Sequence, residues 1–171
     1  MSEPAAEVHV PASAATSTSE WSVRAATNDD VEAVAGAVRA LLLELDGTPT
    51  SAAAMEDATR TLIASPWEGA VLVAQARVAI VGMLAASWQM AIHVPGSYAL
   101  IQDLWVDPAW RGQAVGAGLV EALVELARGR HMERIEVGLP RESFSNFAAT
   151  ESFYLSNGFT ANGPRMRRRI P

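Results

Sequence analysis

Between Asp103 and Gly118 the chain reads Asp-Leu-Trp-Val-Asp-Pro-Ala-Trp-Arg-Gly-Gln-Ala-Val-Gly-Ala-Gly: a strand-like run, a stretch of small residues, and the start of a helix. Small side chains let successive backbone N–H groups converge, and a helix that follows aims its unpaired donors and the positive end of its dipole at the same point. Such a pocket suits a pyrophosphate. The dipole contributes ~0.3 to 1 kcal/mol, up to ~2 where partly buried, so direct N–H bonds must supply most of the grip. The alternative is a plain glycine turn into a helix, which needs no ligand. A dinucleotide fingerprint G-x-G-x-x-G fails, because Glu121 stands where the third glycine of Gly116-x-Gly118 would fall and the segment lies late in the chain.

Other chemistries are excluded by composition. The chain has 171 residues, no cysteine and no lysine, so all 13 basic side chains are arginines. Without cysteine there is no disulfide, no Cys-ligated metal and no thiolate nucleophile. Without lysine there is no P-loop of the G-x-x-x-x-G-K type and no Schiff base. The three histidines, His9, His93 and His131, are scattered and lack metal-ligand spacing, so no metal is expected. His93 falls at a strand end near the expected substrate mouth, as a proton-transfer group or a surface turn residue. Trp88, Trp105 and Trp110 could line an amine site, with core packing the simpler reading for each.

Residues 1–20 lack any sustained period and are expected to be a flexible tail, leaving 21–171 as one domain that holds this loop. Such a length buries roughly 70% of its unfolded surface, enough for a core without staples. Trp21 to Ala25 is a short strand, Val31 to Leu45 an amphipathic helix, and Ser51 to Ala64 a second helix with a narrow stripe of Met55, Ala58, Leu62 and Ile63. Strands follow at 70–75 and about 78–92, joined by a tight turn at Ala76-Arg77. A further strand runs from Tyr98 to Val106 after a turn at 93–96. Alternation places Leu100, Gln102, Leu104 and Val106 on one of its faces and Ile101, Asp103 and Trp105 on the other. A helix over about 116–129, a strand over 134–139, a helix over about 146–156 and a terminal ribbon over 159–170 complete the order, which implies one mixed α/β sheet flanked by helices. The apolar run Val78 to Ile92 is 15 residues, short of the roughly 20 that span a bilayer. No signal peptide is visible, and the expected location is cytoplasmic.

Charge is uneven. The net charge is −6, with 4 Arg against 13 acids in residues 1–110 and 9 Arg against 6 acids in 111–171. The acidic part suits a cationic partner and the arginine-bearing part suits phosphates, whereas broad nucleic-acid binding is disfavoured.

With these motifs in order, the sequence resembles the GCN5-related N-acetyltransferase (GNAT) superfamily, which binds acetyl-CoA at a loop of pattern Q/R-x-x-G-x-G/A. Gln113-x-x-Gly116-x-Gly118 matches it fully, and Arg111-x-x-Ala114-x-Gly116 matches except for Ala at the first glycine. The strand ending Asp103-Leu-Trp-Val-Asp-Pro108 is similar to the family's fourth strand, Ala79-Ile80-Val81-Gly82-Met83 to its third. Thr150 to Phe159 looks like its F-Y-x-x-x-G-F segment.

The resemblance implies a single GNAT-type domain with a mixed, twisted sheet splayed near 104–106, and acetyl-CoA as acyl donor. It assigns cofactor binding to Leu104, Trp105, Val106, Arg111, Gly112, Gln113, Ala114, Val115, Gly116, Ala117, Gly118 and Tyr154. Leu104 N–H would bond the acetyl carbonyl, where one well-placed oxyanion donor is worth ~2.7 to 4 kcal/mol, and Val106 would pair with the pantetheine arm. Arg111 would meet a phosphate. Tyr154 would protonate the departing thiolate, or else pack with Phe153 under the arm. The family has no fixed base. Asp103 is the first candidate for base or amine anchor, against a structural carboxylate bonded to neighbouring backbone, and Glu142 is the second. Asn146 is one residue out of register with a family asparagine and is not assigned. The implied reaction is direct acetyl transfer to a primary amine of a small cationic molecule: an amino sugar, polyamine or antibiotic-like amine. Alternatives are a peptide or protein amine as acceptor, or a non-catalytic acyl-CoA-binding module. No nucleic acid or membrane partner is expected, and strand pairing near 159–170 would permit a homodimer.

Overall fold

The computed structural model describes residues 20–163. Strand β1 (Ser22–Ala25) leads through a 3-10 turn (Asn28–Asp30) into α1 (Val31–Glu44) and α2 (Ala52–Ala64). The chain continues through β2 (Gly69–Ala76), β3 (Ala79–Ala91), β4 (Val94–Val106), α3 (Val115–Gly129), β5 (Ile135–Val137) and α4 (Phe147–Ser156). The five strands lie in the order β1-β2-β3-β4-β5; the first four pair antiparallel and β5 runs parallel to β4. This is the mixed sheet expected.

Both faces of the sheet are covered, which is why β2 reads as a nearly continuous apolar run. Leu72 and Ala74 point into one core with Leu119, Leu123 and Val120 of α3 and Tyr154 of α4. Val71 and Val73 point into the other, with Val34 and Ala37 of α1 and Leu62 and Ile63 of α2. Leu119 and Leu123 are fully enclosed, each burial contributing about 1.5 to 3 kcal/mol. Ser51 starts α2 by accepting from Ala54 N–H at 3.2 Å. At the start of α1, Asp30 accepts two bonds from Arg24 (2.7 and 2.8 Å) and one each from Thr27 N–H (2.7 Å) and Thr27 hydroxyl (3.1 Å), tying β1 to the helix.

Several local expectations are corrected. The β2–β3 turn falls at Arg77-Val78, one residue later than the sequence suggests, because Arg77 takes a left-handed φ of 53° while its C=O accepts from Gln75 Nε2 at 2.8 Å. Val78, apolar but at the tip, is 93% exposed. The next turn is at Ile92-His93, so β4 begins at Val94 rather than Tyr98. Residues 159–163 are not in a strand, and the remainder of the expected ribbon, like the arginine run at 165–169 and the tail at 1–19, lies outside the described residues.

The alternation along β4 is also interrupted. Ala85 pairs with Asp103 but Ala86 pairs with Ile101, leaving Gln102 as an extra residue, a β-bulge. Ile101 therefore packs in the α3–α4 core together with Leu104 and Val106, while Asp103 and Trp105 lie on the α1–α2 face. The expected grouping of Ile101 with Asp103 and Trp105 is overturned by that one residue. No helix among the described residues is long and apolar enough to cross a membrane.

Candidate active site

The bulge decides which backbone groups of β4 are free. Ala99 N–H donates to Arg134 C=O (3.0 Å), so Ala99 faces β5, whereas Asp107 N–H donates to Val81 C=O (3.0 Å), so Asp107 faces β3. Strict alternation over eight residues would make these two face the same way. The extra residue at Gln102 shifts the parity, and Leu104 and Val106 consequently turn their N–H and C=O away from β3. On that side β5 has already ended: its pairing covers only Ala99, Leu100 and Ile101. The result is a splayed notch with an unpaired strand edge at 104 and 106, which an extended ligand arm can join as an added strand.

Past the notch, Asp107 accepts from Ala109 N–H at 2.8 Å and a 3-10 turn (Pro108–Trp110) carries the chain into the small-residue loop. Gly112 has φ 76° and Ala114 has φ 60°, the left-handed region, and α3 begins with no side-chain cap. The first amide to find an acceptor is Gly118 N–H, bonded to Ala114 C=O at 2.9 Å. No N–H of residues 112–117 has an acceptor among the described residues. Six consecutive unbonded donors at a helix N-terminus have the geometry that suits an anion. Gly118 does something else. A Cβ there would lie 2.4 Å from Trp21 Cη2, so Gly118 admits the Trp21 ring, whose Nε1 donates to Gln113 C=O at 3.2 Å. Gly116 packs in the same close way under Phe153, with 3.1 Å to Cε2 from an added Cβ.

Arg111 is engaged away from the loop. Its Nε donates to Val106 C=O (3.0 Å), and its Nη2 meets both carboxylate oxygens of Glu44 (2.7 and 2.9 Å). Trp105 Nε1 also donates to Glu44, at 3.2 Å. This cluster straps the C-terminal end of α1 to the end of β4. Glu44 was not singled out in the sequence, although an acid in the last turn of a helix opposes the dipole and signals a specific partner.

On the α1–α2 face a cavity of about 150 Å³ opens between the helices and the sheet. Val34 and Val38 of α1, Met55 and Leu62 of α2, and Met83 and Ala85 of β3 form much of its wall. Asp103 is the only charged residue that lines it, and its carboxylate makes no hydrogen bond or ion pair among the described residues. Burial pushes its pKa up from the ordinary carboxylate value. On the other face, Tyr154 is 8% exposed and sits edge-on to Phe153 and Phe159, with ring centroids 5.1 and 5.2 Å apart. Burial, and next the charge of Asp103, push its hydroxyl up to about 12. The notch thus has a carboxylate on one flank and a phenol that keeps its proton on the other.

The remaining candidates lie elsewhere. His93 is exposed at the β3–β4 turn, about ten residues and so roughly 30 Å along β4 from Asp103, which removes it from the substrate mouth. Glu142 is exposed in the turn before α4. Trp88 donates to Pro66 C=O (3.0 Å) under the Arg130 guanidinium, 5.0 Å from its ring centre, and is a packing residue. Missed in the sequence were the bulge, Glu44 and the cavity, of which only the Met55-Ala58-Leu62 stripe was visible.

Residues 67–161 match the acetyltransferase (GNAT) domain family. No curated protein matches the chain by sequence. Among solved structures, a possible acetyltransferase from Clostridium difficile 630 superimposes with a TM-score of 0.76 at 15% identity, covering 88% of this chain and 97% of that one. AAC(6')-Iy, in complex with a bisubstrate analogue of CoA and acetylneamine, gives 0.73 at 15% identity over 88% and 98% of the two chains. An aminoglycoside acetyltransferase from an uncultured soil metagenomic sample, in complex with sisomicin, gives 0.66 at 18% identity over 88% and 95%.

Proposed function

Because the chain belongs to the GNAT acetyltransferase family, it is an acyltransferase that uses acetyl-CoA, and we propose that it moves the acetyl group directly to the primary amine of a small cationic molecule. The observation that carries this reading is the unpartnered Asp103 carboxylate, lining a cavity beside the free strand edge at Leu104. The residues present fit the donor. The unbonded amides of 112–117 would hold the pyrophosphate, and the Val106 edge would pair with the pantetheine arm once Arg111 Nε yields its carbonyl. Ala114 occupies the left-handed position that glycine fills without strain, which supports the register Arg111-x-x-Ala114-x-Gly116 for the loop motif. Gly118 N–H, already bonded, is left out of the grip.

Acetyl-CoA supplies an acetyl group activated as a thioester. Leu104 N–H steadies the negative charge that develops on the acetyl oxygen. An acceptor amine of pKa ~10.4 costs about 4 to 5 kcal/mol to deprotonate at pH 7, and Asp103 takes that proton as the nitrogen attacks. The N–C bond forms, the C–S bond breaks, and the thiolate leaves with the nitrogen's remaining surplus proton, relayed through Tyr154. A phenol at about 12 is a weaker acid than the thiol it serves, so Tyr154 must regain a proton from the nitrogen as it gives one to sulfur. With no cysteine in the chain, no acetyl-cysteine stage intervenes.

The test is mass spectrometry of the purified protein with acetyl-CoA and a panel of primary amines, alongside calorimetric titration of acetyl-CoA. Acetylated amine with stoichiometric thiol release is expected. Acetyl-CoA binding with neither product nor thiol would replace this reading with a non-catalytic CoA-binding module.

A further inference from the structure

The cavity against Asp103 has a size and a chemistry of its own. Its volume, about 150 Å³ and open on one side, matches one benzene-sized group. Its wall is aliphatic apart from Thr59 and Asp103, and the Thr59 hydroxyl already donates to Met55 C=O at 2.8 Å. Within the wall, a ligand therefore meets one unengaged charged group and aliphatic surface elsewhere.

Resting on the proposed amine acetylation, we infer that the acceptor is a monoamine bearing a single apolar group of about benzene or short-alkyl size, seated in this cavity with its ammonium on Asp103. Three features carry the assignment. A buried ammonium is tolerated only beside an opposite charge, and the unpartnered carboxylate supplies it. A second ammonium seated within the cavity would meet aliphatic wall and no second carboxylate, so the cavity favours an amine with one charge at Asp103. Each sugar hydroxyl buried there without a partner would weaken binding by roughly tenfold, and an aminoglycoside carries many and exceeds the volume. The acidic first part of the chain then has no need to bind a polycation. The reaction stays balanced: R–NH3+ gives one proton to Asp103 and one to the thiolate, the N–C bond forms as C–S breaks, and the products are the amide and free thiol.

The experiment compares kcat/KM for benzylamine and hexylamine with that for spermidine and sisomicin, at saturating acetyl-CoA, using the full chain. Benzylamine and hexylamine should exceed the other two by at least a hundredfold. Calorimetry of benzylamine with the protein–CoA complex should show binding that Asp103→Asn weakens at least tenfold. Ala58→Phe, at an exposed α2 position that lines the cavity, should cut benzylamine kcat/KM at least tenfold, and Leu62→Ala should shift the preference toward bulkier amines. Preference for sisomicin or spermidine would overturn this inference and leave amine acetylation standing. Two folded cavity variants with unaltered amine selectivity would also overturn it. Absence of product from every amine, with acetyl-CoA bound, would overturn the acetylation reading and this one with it.

Discussion

Two carboxylates in this molecule have opposite fates. At the β1–α1 junction, Asp30 is 6% exposed and accepts four hydrogen bonds, two of them from Arg24, which hold its pKa down at about 2. At the open edge of β4, Asp103 accepts none, and burial drives its pKa upward. A carboxylate whose partners are complete is a structural tie with nothing left to give. One that is half-desolvated and unpartnered destabilises the fold, and a molecule that keeps it gains something other than stability.

Substitution at each site can break or sharpen that contrast. Asp103→Asn carries the largest expected effect: kcat/KM falls by roughly 10² to 10⁴, and the acid limb of the pH–rate profile, displaced upward by burial in the native enzyme, disappears. The same change should raise Tm at neutral pH. A carboxyl with a raised folded pKa is at its most favourable when protonated and loses stability as pH rises through that value, so a neutral isostere relieves the fold. An unchanged profile with unchanged Tm would erase the distinction between the two sites.

Asp30→Asn should act in reverse, leaving kcat/KM nearly intact while lowering stability by about 2 kcal/mol at pH 7. In the native protein that contribution is present above the unfolded value of 3.8 and is lost as pH falls toward about 2, so urea titrations of wild type and variant should converge at low pH. Persistence of the difference at pH 2 would contradict the assignment. Next in size, Tyr154→Phe should slow thiol release about tenfold without altering acetyl-CoA affinity, a modest effect because a phenol near 12 gives up its proton reluctantly. Wild-type turnover would reject the relay. Smallest is Ala114→Gly, which removes left-handed strain at the loop and should add about 0.5 to 1 kcal/mol of stability, read as a rise of a few degrees in Tm. A lower Tm would show that the loop does not strain its alanine.

The loop proposed for the donor was legible in the sequence as a loop and helix start, because what it offers is backbone. Free amides require small residues and a helix start in immediate succession, and Gly112 to Ala117 write that requirement in one line of text. The helices were legible for a related reason: Val31, Val34 and Val38, or Leu119, Val120 and Leu123, repeat at the helical period whatever they pack against. The cavity proposed for the acceptor is lined by side chains drawn from α1, α2, β2, β3 and β4, and no local pattern announces that Met83, Leu62 and Asp103 share a wall. Arg111 and Glu44 are 67 residues apart, so their pairing could not be read locally, and the motif alone sent Arg111 to a phosphate. The bulge was hidden differently. Leu100, Gln102, Leu104 and Val106 can be read as one face of a regular strand, and an extra residue in register leaves no mark in composition.

That extra residue also bears on how the chain can change in length. Loops usually absorb insertions and deletions, but here a strand can absorb one: with Gln102 lost, Asp103 still stands opposite Ala85 and Ile101 opposite Ala86, and the ladder becomes regular. Leu104 and Val106 would keep their peptide groups turned to the notch, because that orientation follows from the pairing of Asp103 and Asp107 with β3. A one-residue change between 103 and 107 is different, since it would move another residue into the place of Leu104 or Val106.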